Sequence, residues 1–233
     1  MSSTTENHLA QLSLKTSENI SAHGVDIIIR GQNASKPLIL WLQYLREHQL
    51  TGNADCLIDA TLSAAREAIA CLCLGLVRPA LSSFRAQIDM SLAWLYFKDH
   101  SVEWQRVQDT GDGFKMKTEL LKYLGDSYAR FSSRFGLLRD CKTRQLEDPF
   151  RLLSAHIHGQ SELALPCVQL PEDIVATRET QLEAIELQRE CAEFITDVFW
   201  SVFANRWAAL PRDLKTTLDQ RFKSGEQRAA FFA

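Results

Sequence analysis

The 233-residue chain has few of the residues that turn or break a backbone, with 10 Gly and 6 Pro. A turn-dense all-β protein of this length would need more. Long apolar runs are also missing. The longest, residues 68–77, is closed by Glu67 and Arg78, well short of the ~20 residues that span a bilayer. The opening MSSTTENHLAQLSLK has no basic head followed by an apolar stretch. No secretory signal is read there, and a cytoplasmic protein without a membrane partner is the expectation. Neither charge sign dominates: 26 Lys+Arg against 29 Asp+Glu leave a net of −3. That excludes a broadly basic nucleic-acid coat and leaves room for a local basic face. No CxxC pair occurs among Cys56, Cys71, Cys73, Cys141, Cys167 and Cys191. They read as small core residues rather than a disulfide or zinc framework. No repeat of 20–50 residues is visible, which disfavours a solenoid.

Helical periodicity fills most of what remains. Residues 1–24 are polar with little periodicity and read as a flexible arm. A short β-branched run follows at 25–29, a strand or an apolar clip too isolated to build a sheet. From Pro37, placed for a first helical turn, Leu38, Trp41, Leu42 and Leu45 repeat at helical spacing. Ile58, Leu62, Ala65, Ile69, Leu72 and Leu76 form a core stripe. A further helix runs from Pro79 to about 99. Another spans about 115–142, interrupted at Gly125 or Gly136. Asp148-Pro149 opens a helix that Gly159 stops. The last major helix covers about 172–207 and carries two apolar stripes. Leu182, Ile185, Ala192, Ile195, Phe199 and Val202 form one; Leu187, Cys191, Phe194 and Val198 form the other. So wide an apolar face belongs to a central bundle helix or to one that also meets a partner chain. A short terminal helix spans 211–222. The expected fold is all-α: an antiparallel helical bundle with peripheral helices, one domain over 25–233 with its core at about 54–207.

The sharpest local feature is RLLSAHIHG at 151–159. At about 100° per residue, Arg151 and His158 nearly eclipse each other across two turns, and Ser154 lies about 60° from Arg151. His156 points well away. A guanidinium holds a phosphate in a bidentate fork, and an imidazole moves a proton near neutral pH. The plainer alternative pairs Arg151 with an acid on a neighbouring helix and sets His158 against carbonyls at the helix end. Local charge leans toward the first. Residues 115–151 hold nine Lys/Arg against five Asp/Glu, a net of +4, whereas 171–193 carry a net of −5. A second polar pair, Arg85 and Asp89, sits at i, i+4 in an otherwise apolar helix. It is either an internal ion pair or a further phosphate contact. Trp94, Tyr96, Phe97 and Trp104 read as core or interface rather than as a base-stacking platform. GDG at 111–113 reads as a turn.

With these residues in view, the chain resembles the HEPN superfamily. Its helical domains carry an Arg and a His with four to six residues between them near the end of a bundle helix. Arg151–His156 and Arg151–His158 both satisfy that spacing, and helical geometry selects His158. GLVRPALSSFRAQID and DPFRLLSAHIHG also look like a group of bacterial HEPN-like proteins in which an Arg-x-x-x-acid helix precedes a Ser-x-x-x-His helix. Arg85, Asp89, Ser154 and His158 occupy those places. The resemblance covers about 54–207. It implies a metal-independent endoribonuclease without a cofactor, in which Arg151, Ser154 and His158 are catalytic and Arg85, Asp89 and His156 meet the substrate. It further implies a homodimer, an RNA substrate, and a cognate antitoxin or defence-complex partner in a toxin–antitoxin or phage-defence system. Leu152 follows the Arg where active HEPN ribonucleases usually carry Asn, Asp or His. The alternative is therefore a non-catalytic HEPN-like interaction or regulatory subunit.

Overall fold

The computed structural model describes residues 2–160 and 162–233, with the backbone alone at Ser2, Ser3 and Leu163. Among the described residues there are ten α-helices and no strand. They are α1 (Ser2–His48), α2 (Cys56–Cys73), α3 (Val77–Phe97), α4 (Ser101–Thr110), α5 (Lys117–Ser127), α6 (Phe131–Asp140), α7 (Pro149–His158), α8 (Arg178–Phe203), α9 (Arg212–Asp219) and α10 (Gly225–Phe232). The all-α packed arrangement matches the periodicity, with α1, α2, α3 and α8 as its frame.

The N-terminus departs from the expected loose arm and isolated apolar clip. Residues 2–48 form one continuous helix that passes through Pro37. Its contact stripe alternates large apolar residues with small ones that hydropathy does not register. Gly24, Ile27, Gly31, Ala34 and Leu38 step by three and four and are buried, as a helix face requires. A Cβ on Gly31 would meet Ile69 Cγ1 at 3.0 Å, and one on Gly24 would meet Cys73 Sγ at 3.2 Å. The missing side chains let α1 lie close against α2. Polar bonds continue the contact outward. Asn19 donates to the Cys73 carbonyl at 2.8 Å and accepts from Gln181 at 2.8 Å. His8 reaches Glu172 at 3.3 Å.

The region expected to be one helix over about 115–142 is two, and the break falls at neither glycine. Gly125 lies inside α5 and Gly136 inside α6; the chain turns at Arg130, whose φ is +65°. The long helix expected over 172–207 is trimmed by 3₁₀ turns at Pro171–Ile174 and Ala204–Ala209. A further terminal helix, α10, follows.

Helix α8 is the axis of the molecule. Every residue from Cys191 to Phe203 is buried. One side packs Phe199 and Phe203 against Trp41 of α1 and Trp94 of α3, with ring centroids 6.0–6.3 Å apart. The opposite side carries Trp200, which meets Phe231 at 4.4 Å and Phe222 at 5.0 Å and so pins the C-terminal helices. Each such ring contributes on the order of 1.5–3 kcal/mol when fully buried. The two apolar stripes of α8 are thus used within one chain. Trp94 and Phe97 belong to the same core, while Tyr96 stacks on His100 at 4.0 Å.

Candidate functional site

Helix α7 is held in place by a row of acids on α8. Glu186, Glu190, Glu193 and Asp197 step by four, three and four, one face of a helix. Three of them grip the chain that leads into α7. The two oxygens of Glu190 accept from the backbone N–H groups of Gln145 at 2.9 Å and Leu146 at 3.1 Å. Glu193 accepts from the Thr143 N–H at 2.8 Å and from its hydroxyl. Asp197, fully buried, sits between the guanidinium groups of Arg144 and Arg221. Arg221 also lies 3.3 Å from Glu193. Burial pushes the Glu193 carboxyl up, but Arg221 and the Thr143 donors outweigh it and hold it below its ordinary value. Sequence reasoning missed this cluster. The signal was present as the opposed charges of 115–151 and 171–193, which meet here.

At the start of α7, Asp148 pairs with Lys117 instead of capping the helix. Pro149 occupies the first turn, and Gly159 ends the helix with φ +60°. Phe150 lies under two cations: the Arg85 guanidinium at 3.8 Å and the Lys117 ammonium at 4.7 Å. Arg85 donates from Nε to Asp89 Oδ2 at 2.9 Å and from Nη1 to Ser154 Oγ at 2.8 Å. Burial raises the Asp89 carboxyl above its ordinary value against the opposing pull of Arg85 and Lys117. Arg85, Asp89 and Ser154 therefore form one network that bolts α3 to α7.

That network divides the residues picked out from the sequence. Ser154 is turned toward α3 and makes no hydrogen bond to His158. Arg151 and His158 are exposed, and among the described residues neither side chain has an ion pair or hydrogen bond. The neighbouring acid expected for Arg151 in the plainer alternative is absent among those residues. His156 faces elsewhere. Its backbone carbonyl accepts from Arg78 Nη2 at 2.9 Å, and its half-buried ring lines a cleft between α3, α7 and α8. Burial, followed by the charge of Arg78, lowers its pKa below the ordinary 6.5. Two groups of side chains thus sit on different sides of α7: an outward Arg/His pair, and a cleft wall of Leu152 and His156.

No group of three or more His, Cys, Asp or Glu among the described residues is arranged to hold a metal ion. No helix among them is long and apolar enough to cross a membrane. Comparisons with protein-family models, curated proteins and solved structures find no match.

Proposed function

We propose that the chain is a HEPN-like protein that acts on RNA phosphodiesters through Arg151 and His158, as a metal-independent endoribonuclease in a bacterial toxin–antitoxin or phage-defence system. The observation that carries this reading is their shared freedom. Seven residues apart on α7, both are exposed and neither is occupied by an internal partner among the described residues. A guanidinium and an imidazole stacked two turns apart on an open face are placed to meet a phosphate together.

In this reading His158 takes the proton from the ribose 2′-hydroxyl or gives one to the departing 5′-oxygen. The attacking 2′-oxygen bonds to phosphorus, and the bond to the 5′-oxygen breaks. The products are a 2′,3′-cyclic phosphate and a 5′-hydroxyl. Arg151 stabilises the charge that accumulates on the phosphate oxygens. Ser154, Arg85 and Asp89 position α7 rather than touch the substrate, a narrower role than the resemblance implies for them. One imidazole supplies one proton transfer, so a homodimer that brings two motifs together is part of the proposal. Residues 191–203 of α8 are enclosed by their own chain and offer no face for that dimer.

The test is incubation with mixed RNA in EDTA, comparing the wild type with Arg151→Ala and His158→Ala. Wild type should leave 2′,3′-cyclic phosphate ends. His158→Ala should be slower by about 10²–10⁴-fold, the range for a lost general acid–base group, with its helical content intact. Cleavage retained by both variants sinks the proposal.

One observation favours the alternative, a non-catalytic interaction or regulatory subunit. The residue after the Arg, Leu152, is 39% exposed and forms part of an apolar cleft wall. This reading expects no cleavage from a folded wild type.

A further inference from the structure

The cleft on the inner side of α7 has a volume of about 340 Å³, within the range of roughly 300–1,000 Å³ typical of small-molecule sites. Its apolar walls come from Leu81, Leu146, Leu152 and Leu187. Its charges are all of one sign. Among the described residues Glu183, Glu186 and Glu190 line it, and no Lys or Arg does. Glu186 is engaged by Arg189 at 2.6 Å. Glu183 has no ion pair or side-chain hydrogen bond among the described residues.

Glu190 is the unusual member. It is 4% exposed, and no cation lies within ion-pair distance among the described residues. Among the described residues its carboxylate accepts only from the two backbone N–H groups of Gln145 and Leu146. Each oxygen accepts one hydrogen bond and keeps a further acceptor site. A buried carboxylate held only by neutral donors can still gain a counter-ion. The one titratable base in the lining, His156, cannot serve well as that counter-ion, because burial and Arg78 disfavour its protonated form.

We propose that this cleft binds a small amphipathic amine, its ammonium group seated on Glu190 and Glu183 and its hydrocarbon part between Leu81, Leu146, Leu152 and Leu187. The concave apolar wall supplies affinity, and the acids select the positive head. The inference does not rest on the RNA reading, because binding is measured without RNA.

The test is isothermal titration of the full chain with n-octylammonium at neutral pH. Octanoate and ethylammonium serve as controls, one with the wrong charge and one without the tail. The expected result is saturable one-to-one binding of octylammonium alone. Glu190→Gln should weaken it by about tenfold or more, the scale of one charge-assisted contact, and Glu183→Gln by a smaller factor. Should Glu190→Gln fail to fold, Leu152→Arg provides the second check. It changes a partly exposed position and offers the acids a guanidinium of the chain's own, so it should abolish binding while the melting temperature is kept. Equal binding of octanoate, no saturation with octylammonium, or unchanged affinity in Glu183→Gln and Leu152→Arg overturns the proposal. So does Nα-acetyl-lysine amide binding as tightly as octylammonium, which would assign the cleft to a lysine side chain of a partner.

Discussion

His156 and His158 are two residues apart on one short helix and occupy opposite environments. His158 faces solvent; His156 is half-buried beside Arg78. Burial and a nearby like charge both disfavour the imidazolium. The pKa of His156 measured by NMR titration should therefore lie below 6.5. Arg78→Met should move it back toward that value, and no movement would count against the charge contribution. The sign for stability follows. The unfolded chain takes up the proton first, so the contribution is intact above pH 6.5 and is lost as pH falls below it. At this scale the sequence was partly legible. Helical spacing separates His156 from Arg151 and His158 without any structure. Ser154 was harder, because 60° on a helix decides nothing until the neighbour is known. Arg85, sixty-nine residues away in sequence, claims its hydroxyl for α3.

Between elements, the acids of α8 do unequal work. Glu186 meets Arg189 at the surface, whereas Asp197 is fully buried between Arg144 and Arg221. Truncating a buried ion-pair partner strands the remaining charges and costs about 3–5 kcal/mol; an exposed pair contributes about 0–1 kcal/mol. Urea unfolding should accordingly show Asp197→Ala destabilised by several kcal/mol and Glu186→Ala by less than about 1 kcal/mol. Comparable losses would mean that Asp197 is not the clamp. The elements themselves were legible where large apolar residues mark the buried face, as in α2, α3 and α8. They were illegible where contact is made by absence. In α1 the stripe contains Gly24, Gly31 and Ala34, so a 47-residue helix reads as a polar arm with a stray apolar run. The turn at Arg130 was hidden for a related reason: a non-glycine residue takes the left-handed conformation, while the two glycines nearby remain helical.

For the whole molecule, the question is which surface is left for a second copy. The proposed dimer cannot use residues 191–203 of α8. Phe199 faces α1 and α3, Trp200 faces the C-terminal helices, and Val202 is 8% exposed. The outer side of α1 is different. Val25 is 74% exposed and Ile29 52%, one helical turn apart, with Ile28 and Leu14 also exposed. A twofold contact is self-complementary, so one such stripe can meet its own copy. Two variants separate a folding role from an assembly role. Val202→Glu places a charge in the core and should lower the melting temperature sharply. Val25→Glu with Ile29→Glu changes exposed positions only and should keep it. If α1 forms the dimer, light scattering should show a dimeric wild type and a monomeric double variant. A double variant that stays dimeric removes α1 as the interface. A wild type that is monomeric at every concentration removes the dimer itself, and a single outward His158 would then have to complete the proton transfers with groups of the RNA or of a different partner.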